Sequence, residues 1–371
     1  MATTIMEVAR HAGVSASTVS YVLSGKRPIS QPTRERVLAS IAELDYHPHA
    51  GARALAGNRT QVIGLVMPVG SSGLHRPLLA EFMMAISVTA RGYGHNVLLL
   101  TDQEGQRSVV DATRGGQVDG LVMMDVTLHD PRVETVRRLG IPTVLIGLPA
   151  EPGGLECVDL DFAAAGRLCV DHLADLGHRE VVFVGQPEEV YRRQTGFAER
   201  TLTGVLDQAR ERGVRVTHRP CEGGWSATAG LLARVLAERP SVTALVVHNE
   251  SAASHLAGVL RNCGRAVPED VSVVAIGADA AAESGEPPLT SIAVPAQRLG
   301  THAVQALMAH LEGPRRPAAP PGARPAPGPS PGAGAGPDGP GGPLLLRPEL
   351  TVRASTGPAR SAPPPRAPRH G

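Results

Sequence analysis

The side chains best able to do chemistry are four proton-exchanging groups, His172, His178, His248 and Glu250. Nothing in the sequence assists them. There is no nucleophile elbow, no glycine-rich phosphate loop and no His/Cys cluster at metal-ligand spacing, and His178 falls in the helix-end pattern Leu176-Gly177-His178-Arg179. Cys157, Cys169, Cys221 and Cys263 form no CxxC pair and read as reduced structural thiols. No catalytic residue, metal or cofactor is expected. The chemistry that composition does support is electrostatic. Residues 1–60 carry seven basic side chains (Arg10, Lys26, Arg27, Arg34, Arg36, Arg53, Arg59) against four acids (Glu7, Glu35, Glu43, Asp45), although the whole chain is only +1. A basic head suits contact with phosphates, and salt weakens such contact.

The elements that must position this charge are short helices. An apolar helical pattern over residues 7–12 runs into Gly13-Val14-Ser15, and a second helix follows in VSASTVSYVL. Gly13 supplies the permissive backbone of a tight turn, and Ser15 is placed to cap the second helix. Val8, Ala9, Ala12, Val14, Val19, Val22 and Leu23 form the packing set, while Ala16, Ser17, Ser20 and Tyr21 fall on the outer face. A third segment, 33–44, adds Val37, Leu38, Ile41 and Leu44 at helical spacing. This pattern predicts a helix-turn-helix whose second helix lies in a DNA major groove.

From residue 61 the pattern changes to alternating strands and helices. VIGLVM (62–67), NVLLL (96–100), VDGLVMM (118–124) and PTVLIG (142–147) are separated by helical stretches, and the alternation returns with EVVFVG (180–185), TALVVH (243–248) and VSVVAIG (271–277). Short apolar runs joined by helices predict parallel sheets, here two doubly wound lobes with a ligand cleft at the carboxyl ends of their strands. A length of 371 residues suits a small head plus two such lobes, and the 2% aromatic content leaves Leu, Val and Ala to fill the cores. Residues 314–343, nearly all Pro, Gly, Ala and Arg, bury too little apolar surface to offset chain entropy and read as a disordered insertion. Residues 344–356 return to the fold, and 357–371 read as a disordered tail. Eight Arg against two acids over 314–371 leave a basic docking arm as an alternative. The start of the chain is polar and no run of eighteen apolar residues occurs, so a cytoplasmic location without membrane contact is expected.

The segments TIMEVARHAGVSASTVS (4–20), YHPHAGARALAG (46–57), ADLGHRE (174–180), VPEDVSVVAI (267–276) and PPLTSIAVP (287–295) follow one another in an order and spacing that resembles the lactose-repressor (LacI/GalR) family. The resemblance covers residues 3 to about 312 and resumes near 344. It implies a head over 1–46, a hinge helix over 47–60, and a type I periplasmic-binding-protein-like core over 61–313 and 344–356, with the last helix crossing back to the first lobe. It also implies a nucleoid-associated repressor that binds a palindromic operator in double-stranded DNA as a homodimer and answers to a small-molecule effector. The family's optional C-terminal leucine heptad is absent, which favours a dimer over a tetramer.

Individual roles follow from the same resemblance. Ala16, Ser17 and Tyr21 match positions that read base edges, and Thr4, Ser15, Thr18, Ser20 and Ser30 match positions that bond phosphates. Lys26 and Arg27 add charge toward the backbone. Leu55 matches a leucine that wedges into the central base step, and Ala52 lets two hinge helices approach. His49 and Gly51 depart from the pattern, Gly51 lowering helix propensity by about 1 kcal/mol. In the cleft, sugar-binding relatives place Asp, Arg, Asn and Asp where this chain has Gly147, Thr201, Asn249 and Gly277. Asp161 is kept beside Phe162, Arg200 sits one residue from the missing Arg, and Trp225 matches an aromatic platform. Arg200, Trp225 and Asn249 are therefore the effector-site candidates. With so few polar anchors a simple hexose is disfavoured, and a constitutive DNA-binding regulator that has lost its ligand is the alternative reading.

Overall fold

The computed structural model describes residues 3–24, 27–46, 59–67, 76–101, 106–312 and 342–360. Its head consists of α1 (Ile5–His11), α2 (Ala16–Ser24) and α3 (Gln31–Glu43). Thr4 opens α1 with a reciprocal cap: its hydroxyl accepts the Glu7 N–H, and the Glu7 carboxylate accepts the Thr4 N–H. Gly13 takes a φ of +65° at the turn, and Ser15 Oγ accepts the Thr18 N–H at 3.2 Å to start α2. Val8, Val19 and Val37 are completely buried, and Tyr46 closes the same core. Two expected core residues are exposed instead, Leu23 at 38% and Leu38 at 47%. Each sits one position past the buried stripe of its helix, which turns it away from the core. Of the expected hinge helix, residues 47–58 lie outside the described residues, and Arg59 and Thr60 are not helical.

The first lobe runs β1 (Val62–Val66), α4 (Arg76–Gly92), β2 (Asn96–Leu100), α5 (Gln106–Arg114), β3 (Gly120–Met123), α6 (Pro131–Leu139), β4 (Thr143–Ile146) and β5 (Glu156–Leu160). The second runs α7 (Phe162–Asp175), β6 (Glu180–Gly185), α8 (Glu188–Arg192), α9 (Gly196–Arg212), β7 (Arg215–Pro220), α10 (Gly224–Glu238), β8 (Ala244–Val247), α11 (Glu250–Asn262), β9 (Ser272–Gly277), α12 (Asp279–Glu283) and β10 (Thr290–Ala293). Central strands such as β3, β4, β6 and β8 are buried along their whole length, because helices cover both faces of a parallel sheet. Edge strand β2 is largely exposed or half-buried.

The chain then returns. Helix α13 (Ala296–Glu312) packs on α4, β3, β4 and β5 of the first lobe, as the resemblance implied. Strand β11 (Leu344–Leu346) adds to β5 in parallel, and β12 (Leu350–Thr351) adds to β10 antiparallel. The sheet orders are β11-β5-β4-β3-β1-β2 and β12-β10-β9-β8-β6-β7. Three crossings thus join the lobes, at 161–162, 294–296 and 347–349. Residues 313–341, nearly all of the Pro-rich insertion, lie outside the described residues, as do 361–371.

The expected disordered tail begins too early. Residues 355–360 strap the second lobe: Ser355 Oγ donates to Val273 O at 2.6 Å and accepts the Thr290 N–H at 2.7 Å. Gly357 O receives buried His178 and Ser272, Ala359 N–H donates to Leu176 O, and Arg360 pairs with Asp270. These backbone groups find partners on the sheet, and that outweighs the Pro- and Gly-rich composition that suggested disorder. Ser355→Ala, which leaves the buried Thr290 N–H unpaired, is expected to cost about 1–3 kcal/mol in denaturant unfolding. Ending the chain after Thr356 is expected to lower the melting temperature relative to ending it after Arg360.

Candidate functional site

On the head, Ser17 is exposed at the start of α2 and Tyr21 is half-buried one turn later, with the Arg27 guanidinium 5.1 Å above its ring. Ala16, the third base-edge candidate, is half-buried against the head core. The stack on Tyr21 fixes a cation at the end of α2. Thr4, Ser15 and Ser30 stand at the starts of the three helices, where unpaired N–H groups favour anions. Thr18 Oγ1 lies 2.9 Å from Ser15 Oγ, Ser30 Oγ lies 2.9 Å from Thr33 Oγ1, and Ser20 is half-buried. Thr4 is the most committed of them: its backbone and hydroxyl hydrogen bonds hold the Glu7 carboxyl below its usual range. Lys26, Ala52 and Leu55 lie outside the described residues.

The second site is a cavity between the lobes, about 60 Å³ in volume. It lies at the carboxyl ends of both sheets: Met124, Asp125 and Gly147 follow β3 and β4, Gln186, His248 and Val294 follow β6, β8 and β10, and Gly277 ends β9. Most of its wall is apolar. Phe162 and Phe197 lie 5.8 Å apart, and the His248 ring stands edge-on to Phe197 at 5.5 Å. The two glycines that replace expected acids leave no empty space. A Cβ on Gly147 would lie 2.8 Å from Val126 Cβ, and one on Gly277 would lie 2.6 Å from Glu250 Cγ. Glu250 Oε1 accepts the Ala278 N–H instead.

Burial sets the charge of this cavity. It pushes Asp159 and Glu250 up to about 7, raises Asp125 against the opposing pull of Arg193, and drives His248 down to about 3. Asp159 Oδ2, Asp125 Oδ1, Gln186 Oε1 and His248 Nδ1 are buried and find no hydrogen-bond partner among the described residues. At the mouth the lobes are stitched together. Arg193 pairs with Asp125 at 2.7 Å, Leu128 N–H donates to Gln194 O, Gly196 N–H donates to Val126 O, and Arg200 donates to Leu148 O. Asp125 and Gln194 adopt φ of 53° and 54° here, a left-handed conformation that costs non-glycine residues energy.

None of the three effector-site candidates lines the cavity. Arg200 spans the lobes through Leu148 O, and Trp225 packs edge-on to His255 on the α10–α11 surface, 46% exposed. Asn249 caps α11, its Oδ1 accepting Ala252 N–H and its Nδ2 donating to Cys221 O. Asp161 caps α7 in the same way. Sequence reasoning missed Asp125, Asp159, Gln186 and Arg193. One signal was readable, an acid inside the apolar strand Cys157-Val158-Asp159-Leu160. Between pH 3.8 and about 7 the folded chain holds an Asp159 proton that the unfolded chain has released, so this group lowers stability as pH rises through that window. Asp159→Asn is therefore expected to stabilise the protein more at pH 8 than at pH 5, by at most about 3 kcal/mol, the roughly two pH units between 5 and the folded value. Equal effects at both pH values would contradict the assignment.

The profile described as bacterial regulatory proteins, lacI family, matches residues 4–49, and that of a periplasmic binding protein-like domain matches residues 170–330. The HTH-type transcriptional regulator CelR of Thermobifida fusca is 30% identical over 320 residues, covering 84% of this chain and 92% of the relative. The structure of a CelR–cellobiose complex superposes with a TM-score of 0.65 at 25% identity, covering 95% of this chain and 99% of that one. The lac repressor dimer bound to operator and an anti-inducer superposes at 0.77 with 23% identity, covering 96% and 100%. With the head, the two crossed lobes and a curated relative spanning most of the chain in agreement, this protein belongs to the lacI family of bacterial regulatory proteins.

Proposed function

We propose that the chain is a cytoplasmic, nucleoid-associated repressor that binds a palindromic operator as a homodimer, its affinity set by a small molecule held between the lobes. The observation that carries this reading is how the linker from the head is anchored. Thr60 and Gln61 donate their N–H groups to the Asp119 carboxylate at 2.7 and 2.8 Å, and Arg59 donates to Leu311 O at the end of α13. The same helix begins at a lobe crossing and presents Leu299 to the cavity. One rigid rod therefore touches ligand space at one end and the root of the DNA linker at the other. A ligand that prefers one arrangement of the lobes shifts the linkers of a dimer, and operator affinity changes by its differential affinity for the two arrangements.

A dimer is supported by the first lobe, where α4 exposes Met84 at 66% and Val88 at 64%, with Tyr93 and Leu99 nearby in sequence. Such large apolar side chains in water favour a partner surface. The constitutive alternative is supported by the cavity itself, which is small and already filled by Val126 and Glu250 beside the two glycines.

Two outcomes test the reading. Leu55→Ala is expected to leave the melting temperature unchanged while weakening specific operator binding roughly tenfold or more, because an apolar wedge repays its unstacking cost only at the kinked site. Unchanged specific affinity would sink the lever role. Val88→Glu is expected to turn a dimer into a monomer in light scattering and to weaken operator binding with it, and a persisting dimer would move the interface elsewhere.

A further inference from the structure

The chain has four phenylalanines, and three of them, Phe82, Phe162 and Phe197, line the cavity between the lobes. They come from both lobes. Elsewhere the buried cores are built mainly from Val, Leu, Ile, Ala and Met, with Phe183 of β6 the remaining phenylalanine, so most of the phenylalanine surface lies where the two halves meet. The neutral His248 ring adds a fourth flat face, 5.8 Å from Phe162. A sugar finds little here. The positions that would aim carboxylates into the space are Gly147 and Gly277, and a polyol has more hydroxyls than the few polar atoms of the wall can partner, which leaves the rest against Phe, Ile and Val.

The polar groups of the wall come from both lobes. Among the described residues Asp159 Oδ2, Asp125 Oδ1 and Gln186 Oε1 have no hydrogen-bond partner, on residues each only 4% exposed; Asp125 Oδ1 and Gln186 Oε1 are acceptors, Asp159 Oδ2 becomes one as its proton leaves at about pH 7, and the Gln186 amide nitrogen is already engaged with His248 O. A ligand that donates hydrogen bonds would satisfy them. Charge narrows the choice from both sides. Three acids line the cavity, so an anion would have to hold all of them protonated, while Arg193 paired with Asp125 and Arg200 near Asp159 leave a ligand cation less to gain.

We infer that the effector of the cleft is a small, uncharged aromatic molecule carrying a few hydroxyl donors, a phenol rather than a sugar. The inference rests on the reading of this cleft as the effector site. At about 60 Å³ the cavity is smaller than the roughly 150 Å³ that holds a benzene ring, so such a ring enters only as the lobes move apart. Occupancy is thereby tied to lobe arrangement, which is what control of the linker requires.

The test is calorimetric titration of the full chain with four ring- or sugar-sized probes: resorcinol, benzylamine, benzoate and cellobiose. Resorcinol is expected to bind saturably with one site per chain, at least tenfold tighter than the other three. Gln186→Leu and Phe197→Leu, one removing an acceptor and one a ring, are each expected to weaken it tenfold. Two variants are used so that misfolding of one leaves the other to decide. Binding of cellobiose with resorcinol silent would overturn the ligand class while leaving effector control intact. Benzoate or benzylamine binding as tightly as resorcinol would overturn the charge argument. Resorcinol affinity unaltered in both variants, or silence of all four probes, would overturn the proposal. A separate measurement of operator binding with and without resorcinol reports on effector control itself.

Discussion

Three chain crossings join the two lobes, and everything functional in the core depends on them. Because the connections lie beside one another at the sheet edges, the lobes are held as a pair whose carboxyl-terminal strand ends face a shared cleft. Connections of this kind leave opening and closing of the cleft as the freest relative motion, a hinge-like coordinate. The second crossing leads directly into α13, which returns to the first lobe and ends at the carbonyl that receives Arg59. Cleft and linker are therefore parts of one mechanical unit, although they stand at opposite ends of a seventeen-residue helix.

The cleft stores unfavourable electrostatics. Carboxyls in an apolar space give up ionisation rather than pay full desolvation, which is why Asp159 and Glu250 titrate near neutrality and His248 stays uncharged. The left-handed backbone at Asp125 and Gln194 adds strain at the contact that stitches the lobes. Unpaired polar atoms and strained backbone together make the ligand-free arrangement improvable, so a molecule with the right complement of donors gains free energy that an ordinary core would not offer.

The sequence made the architecture readable because its signals are local. Gly13, the Ser15 cap and the apolar spacing of α2 specify the turn, and uninterrupted runs such as Val181-Val182-Phe183-Val184 can only be strands buried on both faces. The lining of the cavity between the lobes was poorly legible because its residues are brought together by tertiary structure from both lobes, and alignment to a family pattern picks out Arg200, Trp225 and Asn249, whose side chains make other contacts. Asn249 faces the backbone it caps, while its neighbours His248 and Glu250 face the cavity. Trp225 is drawn onto the α10–α11 surface, and the terminal strap is ordered by sheet partners that its Pro-rich composition does not reveal. Whether a glycine leaves a hole also depends on a distant side chain, as Val126 beside Gly147 demonstrates.

The most direct test of the account is to sequence genomic fragments captured by the purified full chain from its own organism at near-physiological salt, where non-specific phosphate contacts are weakened. The account predicts that the fragments share one palindromic sequence, since two identical heads on a symmetric dimer read two inverted half-sites. Capture of fragments with no common sequence would contradict it.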